Sequence, residues 1–237
     1  MTSSARLAAI AAATLLFVGP ASAAEKRFGL SSFEAIEVTA NVDVEVVARA
    51  PVSAVATGTP DALDRIVLET RDGRLVISEK KYAGDENRST PPGAVTIRVN
   101  AANLQSATLV GAGSLRIDGL KGTRVAVGLR GPGKLTVGKI STDRLAVAMI
   151  GNGTMTLGGA AKQGQVTVSG AGMVDAGKLT IDELVSDSEG AGDHVFNAVK
   201  SAVITTRGIG KTVVLGRPLC TVRNVGSGSV TCGPAKK

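Results

Sequence analysis

Aromatic residues are scarce in this chain. Four of its 237 residues are Phe, one is Tyr and none is Trp, while the net charge is +7. Proteins that bind single-stranded nucleic acid stack bases on aromatic rings within a concentrated basic stripe. Here the basic residues are dispersed along the chain. The composition therefore argues against a nucleic-acid partner, and it does not favour a groove that stacks sugar rings.

Metal-ligating residues are also few. The chain has one histidine, His194, and two cysteines, and two cysteines without suitably spaced histidines do not make a zinc site. A calcium-binding β-roll would carry Gly-Gly-x-Gly-x-Asp, whereas Gly158-Gly159 is followed by Ala160-Ala161. We therefore predict no metal, no cofactor and no catalytic residues.

Long apolar runs are absent apart from one at the N-terminus. Arg6 precedes the apolar run Leu7 to Val18, and Ala21-Ser22-Ala23 follows it. A basic start, a short apolar core and a small-residue end predict a signal peptide over residues 1–23, because the run is too short to span a bilayer comfortably. The mature chain, with 26 − 20 = +6 charges, is then predicted to be exported to the periplasm or the cell surface, or secreted, without a transmembrane segment.

Glycine, in contrast, is abundant and regularly placed. Seven Gly-x-Gly triplets begin at intervals of 20, 20, 19, 20, 18 and 18 residues. Their first glycines are Gly111, Gly131, Gly151, Gly170, Gly190, Gly208 and Gly226. A fixed period of this length predicts a solenoid of stacked repeats.

Apolar and polar residues alternate on both sides of each triplet, as in Val125-Ala126-Val127 and Lys134-Leu135-Thr136-Val137. Such alternation indicates half-buried strands, so each repeat is predicted to be strand, glycine bend, strand and a short return loop. Pairing each strand with its equivalent one repeat later gives a parallel sheet, for which right-handed crossovers dominate. The predicted fold is all-β, a right-handed parallel β-helix of seven coils.

The rest of the chain divides around these repeats. A leader at 24–32 precedes N-terminal strands at 33–80 that cap the β-helix, with one or two helical turns after Thr59 and a hairpin at Asp72-Gly73. Polar residues at 81–94, including Tyr82, predict a solvated loop or a binding loop. The repeats occupy 95–232, and a disordered tail is predicted at 233–237.

Both cysteines, Cys220 and Cys232, lie in the last repeat. Export permits a disulfide, and closing a loop this short would contribute about 3 kcal/mol. The bridge would fix the terminal coil; the alternative is two buried free thiols.

The fifth repeat is the most polar. Alignment on the glycines places Ser186, Ser188 and His194 inward and the acids Asp187, Glu189 and Asp193 outward. One interpretation is a structural ladder of polar side chains, Ser188 over Thr206 over Asn224, that hydrogen-bond between coils. The alternative is a hydrolytic site built on His194.

The order of these features resembles a known family. Phe33-Glu34-Ala35-Ile36-Glu37-Val38, then Asp72-Gly73-Arg74-Leu75-Val76-Ile77, then the glycine triplets, are similar to the auto-transporter adhesin head GIN family over residues 33–232. The resemblance implies an exported bacterial β-helix domain and, from the family name, adhesion; it supplies no catalytic motif.

Three functional hypotheses follow. The first is a noncatalytic envelope or surface module that binds an envelope, glycan or protein partner along an extended face. The second is a polysaccharide-processing enzyme that uses the region around His194. The third is a protein that self-associates through exposed end coils.

Overall fold

The computed structural model describes residues 24–80 and 93–233. The predicted signal peptide at 1–23, nearly all of the predicted loop at 81–94 and most of the predicted tail at 233–237 lie outside these ranges.

Strands dominate the described residues. The N-terminal section contains β1 (Ala24–Phe28), β2 (Ala35–Val38), β3 (Asp43–Ala48), β4 (Ser53–Gly58), α1 (Pro60–Arg65), β5 (Ile66–Arg71), β6 (Arg74–Glu79), β7 (Thr96–Ala101) and β8 (Ser106–Val110). The repeats contain β9 (Ser114–Arg130), β10 (Lys134–Ile150), β11 (Thr154–Ser169), β12 (Met173–Gly190), β13 (His194–Gly208), β14 (Lys211–Gly216), β15 (Leu219–Val225) and β16 (Ser229–Cys232).

The repeat strands pair in parallel, each with the strand one coil later. β9 pairs with β10, β10 with β11, β11 with β12 and β12 with β13. Leu115, Leu135 and Met155 are consecutive partners in this ladder, and all three are buried. The fold is a parallel β-solenoid, as the repeat period predicted, with about six turns rather than the seven coils expected from the triplets.

The return segments differ from the prediction. We expected a short loop there, but β9 and β10 continue through it, and Ser141 and Thr142 pair with Lys121 and Gly122. Backbone groups in each return segment find partners in the equivalent segment of the next coil, which satisfies them without a loop. The alternation of buried and exposed residues shifts by one position where the chain turns. Gly119 and Leu120 show this shift, because these two consecutive residues are both buried.

Each glycine triplet forms one corner of a coil. Gly131 has φ +108°, a region that side chains rarely adopt. A Cβ at Gly133 would lie 2.7 Å from the carbonyl oxygens of Gly111 and Gly113 in the coil below. The triplets recur because successive corners stack directly on one another, as predicted.

The N-terminal section closes one end of the solenoid. β3 joins β9, while β2 and β8 join the sheet on another side of the coil. Thr59 caps α1 through a hydrogen bond from the N–H of Ala62, and Ala62 and Leu63 are buried. The predicted strands, helix and hairpin of this section are all present.

Residues 24–32 also contain a strand that the sequence analysis did not predict. β1 pairs antiparallel with β4, from Ala24 opposite Gly58 to Phe28 opposite Ala54. β4 also pairs antiparallel with β7. The strand order is therefore β1-β4-β7, and β1 lies at the edge of the sheet.

Candidate functional site

The side chain of His194 points into the solenoid rather than toward solvent. It is 3% exposed and stands in the inward column between Val174 and Thr212. A cavity of about 10 Å³ beside it is lined by Ser188, Thr206 and Thr212 among others. This volume is close to the minimum that holds one water molecule, so no substrate could enter it.

The Nδ1 atom of His194 is buried and has no hydrogen-bond partner among the described residues. Burial lowers the pKa of His194, and the neighbouring Asp193 opposes that shift. The imidazole is therefore held neutral at physiological pH, as expected of a ring in a nearly dry interior.

The carboxylates of this repeat make their contacts on the outside. Asp187 pairs with Arg207 at 2.8 Å, and Asp193 accepts a hydrogen bond from the backbone N–H of Lys211 at 2.8 Å. Both were predicted to face outward, and neither is positioned to orient the imidazole as a hydrolase requires. The geometry removes the basis for an enzyme built on His194.

The polar column runs as the alignment predicted. Ser188 lies opposite Thr206, and Thr206 lies opposite Asn224. The Thr206 hydroxyl donates to Asn224 Oδ1 at 2.7 Å, and Asn224 Nδ2 donates to the carbonyl of Gly228 at 2.8 Å. The first of these bonds joins two coils and the second lies within the last coil, so the Thr206–Asn224 part of the column has a structural role.

A shallow groove crosses the outer surface from β8 to β12. Its volume is about 870 Å³. One side is a column of long polar side chains, and the other is a column of mostly small ones. The long column contains Arg124, Arg144, Gln163 and Glu183, and the neighbouring column contains Ser106, Ala126, Ala146, Gln165 and Val185. The groove exists because these two kinds of column lie side by side.

Two lysines on the adjoining return segments form ion pairs. Lys162 contacts Asp143 at 2.8 Å, and Lys200 contacts Asp182 at 2.8 Å. These hydrogen bonds raise the pKa of both lysines. Arg124 and Arg144, in contrast, form no ion pair with any described residue.

One family matches most of this architecture. The family described as "putative auto-transporter adhesin, head GIN domain" matches residues 32–218, which include the N-terminal strands and most of the repeats. The chain belongs to this GIN domain family. The resemblance seen in the sequence is thereby confirmed.

Solved structures share the fold of this GIN domain. A putative adhesin from Bacteroides fragilis has a TM-score of 0.80 at 19% identity, covering 91% of this chain and 98% of its own. A putative lipid binding protein from Parabacteroides distasonis has a TM-score of 0.71 at 20% identity, covering 92% and 98%. A putative adhesin from Parabacteroides merdae has a TM-score of 0.70 at 16% identity, with the same coverage. No curated protein matches the chain.

The last coil of the GIN domain carries the predicted disulfide. Cys220 on β15 is bonded to Cys232 on β16. Every residue of β15 is exposed, because this strand pairs with β13 and has no further coil beyond it in the described part of the chain. Val222 is 44% exposed, whereas its partner Ile204 is fully buried.

The described residues contain neither a metal-binding cluster nor a membrane-spanning helix. Within residues 24–80 and 93–233, no three or more His, Cys, Asp or Glu side chains form a cluster suited to a metal ion. Within the same ranges, no helix has the length and apolarity needed to cross a membrane.

The groove was not predicted from the sequence. The alternation predicted which side chains point into the solenoid, but the prediction did not compare the sizes of neighbouring outward side chains. Val125-Ala126-Val127 and Leu145-Ala146-Val147 contained the signal, because alanine recurs one coil apart at an outward position beside an arginine column.

Proposed function

We propose that this GIN domain is a noncatalytic exported module that binds an envelope, glycan or protein partner along the groove from β8 to β12. The groove is the observation that carries the proposal, because it presents one continuous surface across several coils. A solenoid suits such recognition, since its regular coils form an extended binding surface.

Three observations support export. The N-terminal sequence has the pattern of a signal peptide, the last coil holds a disulfide, and the family is described as an adhesin head domain. Disulfides persist in oxidising compartments such as the periplasm and the cell exterior. We place the mature protein in the periplasm, on the surface or outside the cell.

The binding surface can be tested by blocking the groove. Ala146 is exposed on its floor, so Ala146→Trp fills the groove without touching the core. Ala171→Trp is the matched control, since Ala171 is exposed in the middle of a glycine triplet away from the groove lining.

We expect the purified mature chain to bind saturably to envelope fractions, intact cells or a glycan array. Ala146→Trp should abolish that binding, and Ala171→Trp should retain it. Absence of saturable binding to all three preparations would refute the proposal, as would equal binding by the two variants.

The open last coil favours self-association as a second candidate. β15 exposes an unpaired edge together with Leu219 at 82% and Val222 at 44% exposure. Such an edge is a template for pairing with another chain. Size-exclusion chromatography over a range of concentrations should then show a dimer that Val222→Lys dissociates; a monomer at every concentration would refute this candidate.

A further inference from the structure

The groove contains two neighbouring arginines, Arg124 and Arg144, that form no ion pair with any described residue. Arg124 and Arg144 are direct partners in the β9–β10 ladder, so their side chains leave the same face one coil apart. Neighbouring coils are separated by roughly 4.7–4.9 Å. Like charges directly opposite each other destabilise a sheet.

The nearby acids make their contacts with side chains other than these two arginines. Glu34 accepts a hydrogen bond from Gln105 at 3.1 Å on one side, and Glu183 accepts one from Gln163 at 3.2 Å on the other. On the adjoining return segment, Asp143 is held by Lys162 and Asp182 by Lys200, both at 2.8 Å. Both guanidinium groups are thus left without an ionic partner among the described residues.

The chemistry of these groups points to a carboxylate ligand. A guanidinium presents a planar set of donors that matches a carboxylate in two parallel hydrogen bonds. The solenoid axis runs perpendicular to the strands. Two guanidinium groups one coil apart therefore fit a ligand whose carboxylates recur along that axis. Glu183 at the far end of the column repels an acidic ligand and so confines its charges to the coils of β9 and β10.

The rest of the lining distinguishes a glycan from a peptide. An extended peptide gains affinity by pairing its backbone with an open strand edge. The strands beneath the groove are interior members of the ladder and already pair on both sides. The side chains of Gln163, Gln165 and Ser106 offer amide and hydroxyl groups instead, which match the hydroxyls of a sugar chain.

We propose that Arg124 and Arg144 bind the carboxylates of an acidic glycan that lies in the groove along the solenoid axis. This inference rests on the proposed function and specifies its ligand class. Both arginines are exposed, so each contact with the ligand is screened by water and salt. Binding is therefore expected to depend on avidity along the polymer and to weaken as salt is raised.

Polygalacturonate serves as the acidic probe, and neutral dextran as its uncharged counterpart. Binding to the full mature chain would be measured by biolayer interferometry at low and high salt. Arg124→Gln with Arg144→Gln removes both groove charges. Arg116→Gln with Lys178→Gln removes two exposed charges outside the groove and is the matched control.

We expect binding to polygalacturonate and not to dextran, with about a fivefold loss for each groove arginine removed. The control pair should bind as the unaltered chain does. The groove pair should also melt at the same temperature or higher, because the substitutions relieve like-charge repulsion. A loss of binding that accompanied unfolding would contradict that expectation and overturn the inference.

Polyglutamate and phosphatidylglycerol vesicles are the competing probes. Arginine-dependent binding of either one at the strength of polygalacturonate would overturn the glycan assignment. Retained polygalacturonate binding by the groove pair would overturn it as well. If Ala146→Trp abolishes envelope binding while the arginine pair does not affect it, the proposed function stands and this inference alone fails.

Discussion

The stacking of the glycine corners gives the sharpest test of the fold. Gly133 lies in the second of the glycine corners, between the corners that begin at Gly111 and Gly151. In Gly133→Ala the new methyl group would meet the carbonyl oxygens of Gly111 and Gly113 at 2.7 Å, well inside van der Waals contact. Both oxygens belong to the backbone, so neither can rotate away.

The size of the effect follows from two opposing contributions. Overpacking costs about 1–3 kcal/mol, and the upper end applies here because the obstructing atoms lie in the ladder itself. Replacing glycine by alanine restricts the unfolded chain, which offsets about 0.4–1 kcal/mol. The net loss is about 2 kcal/mol, which for a chain of this size lowers Tm by roughly 4–8 °C.

Thermal unfolding followed by circular dichroism measures this change on the mature chain. Gly73→Ala is the control, because Gly73 has φ +70° but no atom within 4 Å of the added methyl group. Alanine at this positive φ costs about 1–2 kcal/mol, and restriction of the unfolded chain offsets about 0.4–1 kcal/mol, so we expect the control to lose about 1 kcal/mol. If Gly133→Ala melts no lower than the control, the corners do not stack as described and the reasoning is refuted.

Three further predictions concern the C-terminal half. Burial lowers the pKa of His194, so as the pH drops below about 6.5 the unfolded chain takes up a proton before the folded chain does. Stability should therefore fall by up to about 1.4 kcal/mol per pH unit over the range in which only the unfolded chain is protonated. Urea unfolding of His194→Leu should show a shallower pH dependence, and an unchanged dependence would contradict this. Phe196 is fully buried, so Phe196→Ala should cost about 3–5 kcal/mol in urea unfolding, against less than about 0.5 kcal/mol for the exposed Val199→Ala; similar losses would count against the core assignment. Replacing Cys220 and Cys232 by serine removes a cross-link worth about 3 kcal/mol, and hydrogen exchange should then accelerate in β15 and β16 while β9 to β11 keep their protection. Faster hydrogen exchange throughout the chain would contradict this prediction, because it would show that the disulfide stabilises more than the last coil.

The contents of the interior could be predicted because the coil-to-coil register equals the sequence period. Leu135 lies over Leu115 because the two residues are one repeat apart, so alignment on the glycines is enough to build the inward columns. The same alignment placed His194 inward and Thr206 over Ser188. In a solenoid, each coil contacts only its neighbours, so long-range contacts become regular in the sequence.

The pairing of the return segments and of β1 could not be predicted in the same way. The returns carry weak alternation, and their strand character comes from partners one coil away. The residues of β1, Ala24 to Phe28, have no clear apolar pattern, and their partner β4 is an antiparallel strand outside the repeats. Strand formation at such sites depends on tertiary packing more than on local propensity.

The sequence by itself thus determined the coil period, the inward columns, the cysteine pair in the last repeat and the resemblance to the GIN family. Only the tertiary structure decided how the return segments pair, where β1 joins the sheet, and that the surface beside Arg124 and Arg144 forms a groove. The physical reason is that a periodic sequence specifies what lies above and below each residue, whereas strand pairing outside the regular alternation and the shape of the outer surface depend on tertiary packing.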